Sequence, residues 1–376
     1  MTVMPPARRL YLHIGLQKTG TSYLQKIMWT NQDRLREQGL DLVPPSKRAT
    51  FNLMLDVRER YNPTFDPPEV ATALSRLPGQ LASASQPAAL VSEESLAAAG
   101  DAQITRLLAA CGDREVHLVL TLRDLGRQIP SAWQQTLQSG RSLSYGAYLR
   151  RLRKLEGRPH SGPWSSKDVG AILERWSAHV PADRIHLVTV PPPGSPHQAL
   201  LERYCRVLGI DPERLDRDVQ RSNESIGRVQ ADLLRRVNRR LAPEFRTRDV
   251  YGDIGKRFFA VRVLGPQGGE KLRVPHEHEE WCRDVSQRFV DAIVKGGYPV
   301  EGDVLDLVPT PAAFAAEPRV TQREVVDASV AALAMMLTDD MRRLRARRLR
   351  RGSGWAARLK AARRRLSNDL FHRGDR

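Results

Sequence analysis

The stretch HIGLQKTGTSYLQ, residues 13–25, places Gly15 and Gly20 at the spacing of a loop that wraps a phosphate, with Lys18 between them. In the nucleoside-triphosphatase form of such a loop, G-x-x-x-x-G-K-[ST], the lysine follows the second glycine and reaches the β- and γ-phosphates. Here Thr21 holds that place, Ser22 follows it, and the only lysine of the loop has moved inside. Two other short groups carry chemistry. Glu93 and Glu94 follow the apolar stretch AALVS and offer carboxylates able to take a proton from an attacking group. Arg123 follows EVHLVLTL, with Ser131 further along in RDLGRQIPSAW, and an arginine at that point can hold an anion.

These groups need strands to end beside one another. Residues 10–14 read as a short buried strand and 21–38 as a helix that begins on Thr21 and Ser22. The extended 39–45, the helical 52–60 and 68–81, and a strand over 88–94 follow. Residues 115–122 form a continuous apolar run suited to a parallel strand covered on both faces. Helices over 125–139, 144–155 and 167–179 precede another buried strand, 184–190, which Pro191-Pro192-Pro193-Gly194 ends. Alternating strands and helices imply an α/β fold with a doubly wound parallel sheet. Beyond residue 191 the chain reads as almost wholly helical, over 198–208, 225–241, 277–295 and 321–349. In such a sheet the ligand sits at the carboxyl ends of the strands, where the three groups fall.

The two motifs HIGLQKTGTSYLQ and VLTLRDLGRQIPSAW together resemble the nucleotide-binding motifs of sulfotransferases that use 3′-phosphoadenosine-5′-phosphosulfate (PAPS), in the bacterial H-I-G-x-x-K-T-G-T form. The resemblance covers roughly the first 140 residues. It implies a P-loop-like three-layer sandwich and a PAPS-dependent sulfotransferase without a metal requirement. Gly15, Gln17, Lys18, Thr19, Gly20, Thr21 and Ser22 are then the 5′-phosphosulfate loop, and Arg123 and Ser131 the 3′-phosphate site. It also accounts for the displaced lysine: inside the loop, Lys18 can approach the oxygen that bridges phosphate and sulfate, where charge develops as the sulfuryl group leaves. Related enzymes use a glutamate or a histidine as base. Glu93 is the favoured candidate and Glu94 its neighbour, since only one of two successive residues is expected to face the sulfate. His13 and His117 read as core histidines, His13 near enough to orient the loop. The expected partners are PAPS, its product adenosine 3′,5′-bisphosphate, and an acceptor hydroxyl or amine on a glycan, glycolipid or small metabolite. Segments 50–87, 141–167 and 249–273 are expected to form the acceptor pocket.

Composition sets the outer limits. The chain has 376 residues with Lys+Arg 60 against Asp+Glu 43, a net +17, so an anionic partner is expected. The charge is uneven: 339–376 holds 14 Lys/Arg against 4 Asp. The expected organisation is a domain over 1–338, with a cofactor-binding core at about 8–190 and helical elements over 191–338, followed by a basic tail from 339 that Gly352-Ser353-Gly354 divides. The tail could attach to an anionic membrane face or a polyanion, nucleic acid being the weaker choice, and Val325, Val326, Val330, Leu333, Leu337, Met341 and Leu344 fall on a helical stripe that could dock. Three scattered cysteines and no apolar leader fit a cytosolic protein, peripheral at most to the inner face of a membrane. Alternatives are a P-loop kinase or a polyanion-binding protein acting through its tail. PHEHEEW reads as a solvated helix start rather than a metal site, and Asn223 or Ser225 as a helix cap.

Overall fold

A computed structural model describes residues 8–158, 162–218, 225–316 and 319–371. The strands are β1 (Arg9–Gly15), β2 (Leu40–Leu42), β3 (Ala88–Ser92), β4 (Glu115–Leu122), β5 (Ile185–Thr189), β6 (Val274–Pro275), β7 (Val300–Glu301) and β8 (Phe314–Ala315). Six of them make one parallel sheet in the order β2-β3-β1-β4-β5-β7, and β6 pairs with β8. The fold is the expected α/β sandwich. Alternate residues of β1 feed opposite layers: Leu10, Leu12 and Ile14 join one buried cluster, Tyr11 the other. Helices Thr21–Thr30 and Ala199–Leu208 cover one face, and the larger set including Lys47–Val57, Leu125–Leu137, Val169–Ser177 and Glu279–Gly296 covers the other.

β1 lies between β3 and β4, so the turns that leave these three strands converge at one edge. From β1 the chain runs out to β2 on one side, and from β4 to β5 on the other. The crevice between β1 and β4 is therefore the topological switch point, where open α/β sheets bind ligands.

Several local readings change in the structure. The helix expected over 21–38 divides into Thr21–Thr30 and Gln32–Arg36. Asn31 causes the break: its Nδ2 donates to the Ile27 and Asp216 carbonyls, both at 2.9 Å, and its Oδ1 accepts from Asp216 N at 2.6 Å. The sixth sheet strand, β7, is two residues long and carries no periodicity to betray it in a region read as helical. Residues 252–264, within a segment expected to form part of the acceptor pocket, are helical. Asn223 lies outside the described residues; Ser225 stands ahead of the helix Arg228–Arg240, whose N-cap is Gly227. His278 is buried with its ring edge-on to Trp281 at 6.2 Å, so PHEHEEW is only partly solvated.

The last helix runs unbroken over Gln322–Phe371, across the expected division at Gly352. Val325, Ala328 and Ala332 bury its inner face, while the buried Asp339 pairs with Arg262 and Arg343. Of the stripe expected to dock, only Val325 does. Val326, Val330, Leu333, Leu337, Met341 and Leu344 stand exposed, because they lie on the side of the helix opposite Val325, Ala328 and Ala332. Among the described residues, no helix is long and apolar enough to cross a membrane.

Candidate active site

The loop after β1 turns sharply. Gly15 has φ +99°, Lys18 +67° and Gly20 +89°. At Gly15 a Cβ would stand 2.6 Å from Glu94 Cβ, so the missing side chain is what lets the turn after β3 lie against the loop. At Gly20 a Cβ would meet Leu200 at 2.5 Å.

Neighbouring strand ends brace the loop through its carbonyl groups. Arg123 Nη1 donates to the Lys18 carbonyl at 3.1 Å, and Gln128 Nε2 to the Gln17 carbonyl at 2.9 Å. Leu16 N donates to the Thr121 carbonyl at 2.7 Å. Thr121 Oγ1 lies 2.6 Å from Thr19 Oγ1, which also bonds the Leu16 carbonyl. With the carbonyls taken up, the amides are left over. No hydrogen bond among the described residues uses the N–H of Thr19, Gly20, Thr21 or Ser22, and helix Thr21–Thr30 has no side-chain cap. Unsatisfied amides at a helix start and in a strongly turned loop form a concave, positively polarised surface.

Arg123 borders this surface, half-buried, and its buried Nε has no partner among the described residues. Burial, with the nearby Arg127 cation, pulls its pKa down to about 10, so it remains charged at neutral pH. A guanidinium with a buried, unused N–H is the group an anion would complete. Ser131 sits on the same face of helix Leu125–Leu137 as Gln128, one turn further along.

His13 is fully buried and bridges three strands, its Nδ1 2.7 Å from Ser92 Oγ and its Nε2 3.5 Å from Thr121 Oγ1. Burial lowers its pKa to about 3, so the ring is neutral and structural, packed against Tyr204. His117 is half-buried at the other end of the sheet, with Nε2 2.7 Å from Glu115 and Nδ1 2.9 Å from His186.

The two glutamates part company. Glu93 caps the short turn Glu94–Ala98, its Oε1 accepting from Ser95 N at 3.2 Å. Burial, then the charge of Glu94, push its pKa up to about 7. Glu94 accepts from Gln25 Nε2 at 3.3 Å and lines a cavity of about 350 Å³ that also borders Gln17 and Ser95. Its wall includes Arg58 and Arg60, Arg141 and Tyr148, and residues 162–163 and 165–167. Two of the three segments expected to form an acceptor pocket, 50–87 and 141–167, thus meet beside the loop. Among the described residues, none of 250–273 lines this cavity.

Sequence reading missed Ser92, Thr121, Gln25 and Gln128. They are ordinary polar residues, and only their position beside His13, Thr19, Glu94 and the Gln17 carbonyl makes them part of the site.

No protein-family model and no curated protein matches the chain. Among solved structures it is similar to a sulfotransferase from Alicyclobacillus acidocaldarius, at 16% identity and a TM-score of 0.38, over 64% of this chain and 99% of that one.

Proposed function

We propose that this protein is a sulfotransferase that moves the sulfuryl group of PAPS to a hydroxyl or amine. The observation that carries the reading is the meeting, at one switch-point crevice, of four open loop amides and the buried Nε of a half-buried Arg123, which has no partner among the described residues. A nucleotide with phosphate at both ends of its ribose supplies an anion for each. The displaced lysine agrees, since Lys18 lies within the loop rather than beyond it.

On this reading Thr19, Gly20, Thr21 and Ser22 bind the 5′-phosphate by their N–H groups, the Thr19 hydroxyl being already committed to Thr121. Gly15 and Gln17 shape the loop. Arg123 and Ser131 hold the 3′-phosphate. Lys18 stabilises the negative charge that grows on the bridging oxygen as the bond from sulfur to that oxygen breaks. Glu94 takes the proton from the acceptor as the new bond to sulfur forms, because it, unlike Glu93, lines the cavity where an acceptor would stand. Adenosine 3′,5′-bisphosphate then leaves. The long C-terminal helix, with an exposed apolar stripe from Val326 to Leu344 running into arginines, suits attachment to an anionic lipid surface.

Calorimetry with adenosine 3′,5′-bisphosphate, 5′-AMP and ATP tests the reading before any acceptor is known. The bisphosphate should bind best. Equal affinity for the bisphosphate and 5′-AMP rejects the 3′-phosphate site, and a preference for ATP points to a kinase.

A further inference from the structure

The cavity beside the loop is unusually charged. Among the described residues, Arg58, Arg60, Arg141 and Lys167 line it, against Glu94 as its one carboxylate. None of the four cations forms an ion pair with a described carboxylate. Arg58 spends its donors on neutral oxygens, Nε on Gln103 Oε1 at 3.1 Å and Nη1 on the Ser95 carbonyl at 2.6 Å. Lys167 does the same, its Nζ donating to the Pro163 carbonyl at 2.8 Å and to Ser166 Oγ at 3.4 Å.

Lys167 is only 4% exposed, and a buried ammonium without a counter-ion is costly to keep charged. Burial draws its pKa down to about 8. Arg58 is depressed to about 10, by burial first and then by the cations of Arg60 and Arg175. Arg60 and Arg141 are exposed at the rim. Like charges gathered from three separate chain segments around one concave space raise each other's energy, and an anion entering that space relieves all of them. At about 350 Å³ the cavity lies at the small end of the range for ligand sites, roughly 300–1,000 Å³, so it suits a single small ring or chain.

We infer that the acceptor is itself a small anion: a hydroxyl- or amine-bearing molecule whose own oxyanion group is held by Arg60, Arg141 and Lys167, with its nucleophile toward Glu94 and Gln17. This rests on the sulfotransferase reading for the word acceptor, but the anion site stands on the cavity alone. Arg58, fixed on Ser95 and Gln103, acts as a positioning residue for the Glu94 turn. The oxyanion can be a carboxylate, a sulfate ester or a phosphate ester, and the assay separates them.

Binding is measured by calorimetry on the full chain with adenosine 3′,5′-bisphosphate at saturation, so that the phosphate contacts of the loop and Arg123 are filled. The probes are two matched sets: glucose, glucuronate, glucose 6-sulfate and glucose 6-phosphate; and benzyl alcohol, 4-hydroxymethylbenzoate, 4-hydroxymethylphenyl sulfate and 4-hydroxymethylphenyl phosphate. At least one anion should bind about tenfold or more tightly than its neutral parent. Arg60→Ala combined with Arg141→Ala, both at the exposed rim, should erase that preference while leaving bisphosphate affinity unchanged. Lys167→Met should weaken it too, with a melting curve run beside it because the residue is buried. Absence of any anion preference in both sets overturns the inference, as does a preference that survives the double rim variant. Failure of the bisphosphate to bind instead rejects the sulfotransferase reading, and the same titrations without it still decide the anion site.

Discussion

Replacing Arg123 by alanine separates recognition of the 3′-phosphate from everything else the nucleotide offers. With a pKa near 10 the guanidinium is almost wholly protonated at neutral pH, so the change removes a full charge. It removes two distinct things: the 3.1 Å bond from Nη1 to the Lys18 carbonyl, and the Nε–H that has no partner among the described residues. Loss of the first loosens the loop and weakens any nucleotide that uses it. Loss of the second affects only a ligand with an anion at that point. A hydrogen bond to a charged group contributes about 1.5–3 kcal/mol. At about 1.4 kcal/mol per tenfold, one such contact corresponds to about a 10- to 150-fold preference for adenosine 3′,5′-bisphosphate over 5′-AMP. The ratio of the two dissociation constants cancels the loop effect, and Arg123→Ala should lower it by about that factor, leaving only what Ser131 contributes. Arg123→Lys should give an intermediate ratio, since the charge stays but the planar fork is lost. Titration calorimetry of both nucleotides on the three proteins measures this. An unchanged ratio in Arg123→Ala would refute the assignment, whatever happened to the absolute affinities.

Lys18→Ala should lower kcat far more than bisphosphate affinity, because its proposed partner charge grows only as the sulfur–oxygen bond breaks; an unchanged kcat with PAPS removes it from the mechanism. Glu94→Gln should abolish transfer with cofactor affinity nearly intact, whereas Glu93→Gln should keep most activity; the reverse result moves the base by one residue. Glu93 also has a stability signature. Its folded pKa, about 7, lies above the ordinary 4.5, so the folded state holds a proton that the unfolded chain has lost, and stability falls as pH rises from about 4.5 to 7. Glu93→Gln should therefore gain most in melting temperature over the parent above pH 7 and gain little at pH 4; parallel curves would show that Glu93 titrates normally. For the tail, truncation after Arg351 should reduce binding to vesicles containing phosphatidylserine in low salt without affecting nucleotide affinity. Truncation before Asp339 should also lower the melting temperature, because it removes the buried partner of Arg262. Vesicle binding unaltered by either cut would exclude the lipid surface.

The amino-acid sequence by itself determined the parts that depend on neighbours along the chain. Apolar runs at 10–14, 88–92, 115–122 and 185–189 become the four long strands of the sheet, since a parallel strand buried on both faces needs little else. Ser144 and Asp168 cap their helices as their side chains dictate. The glycine loop, with its positive-φ turns at Gly15 and Gly20, was legible because glycine adopts that backbone without a steric penalty.

Tertiary structure alone decided which groups meet. Only the order β3-β1-β4 sets Glu94 and Arg123 on either side of the loop, and no periodicity encodes a strand order. Nothing local distinguishes Glu94 from Glu93; the difference comes from a turn that leaves one as a cap and aims the other at a cavity. The cavity itself joins residues from five stretches of chain, so its four cations look like scattered surface charge until packing gathers them. The last helix shows the same limit from the other side. Its apolar residues occupy two opposite faces, and helical spacing marks both as candidates for burial, but the protein offers a surface to only one of them. Local pattern follows from covalent geometry and backbone hydrogen bonding. The choice among faces and partners is settled by which non-local contacts exclude the most water at once.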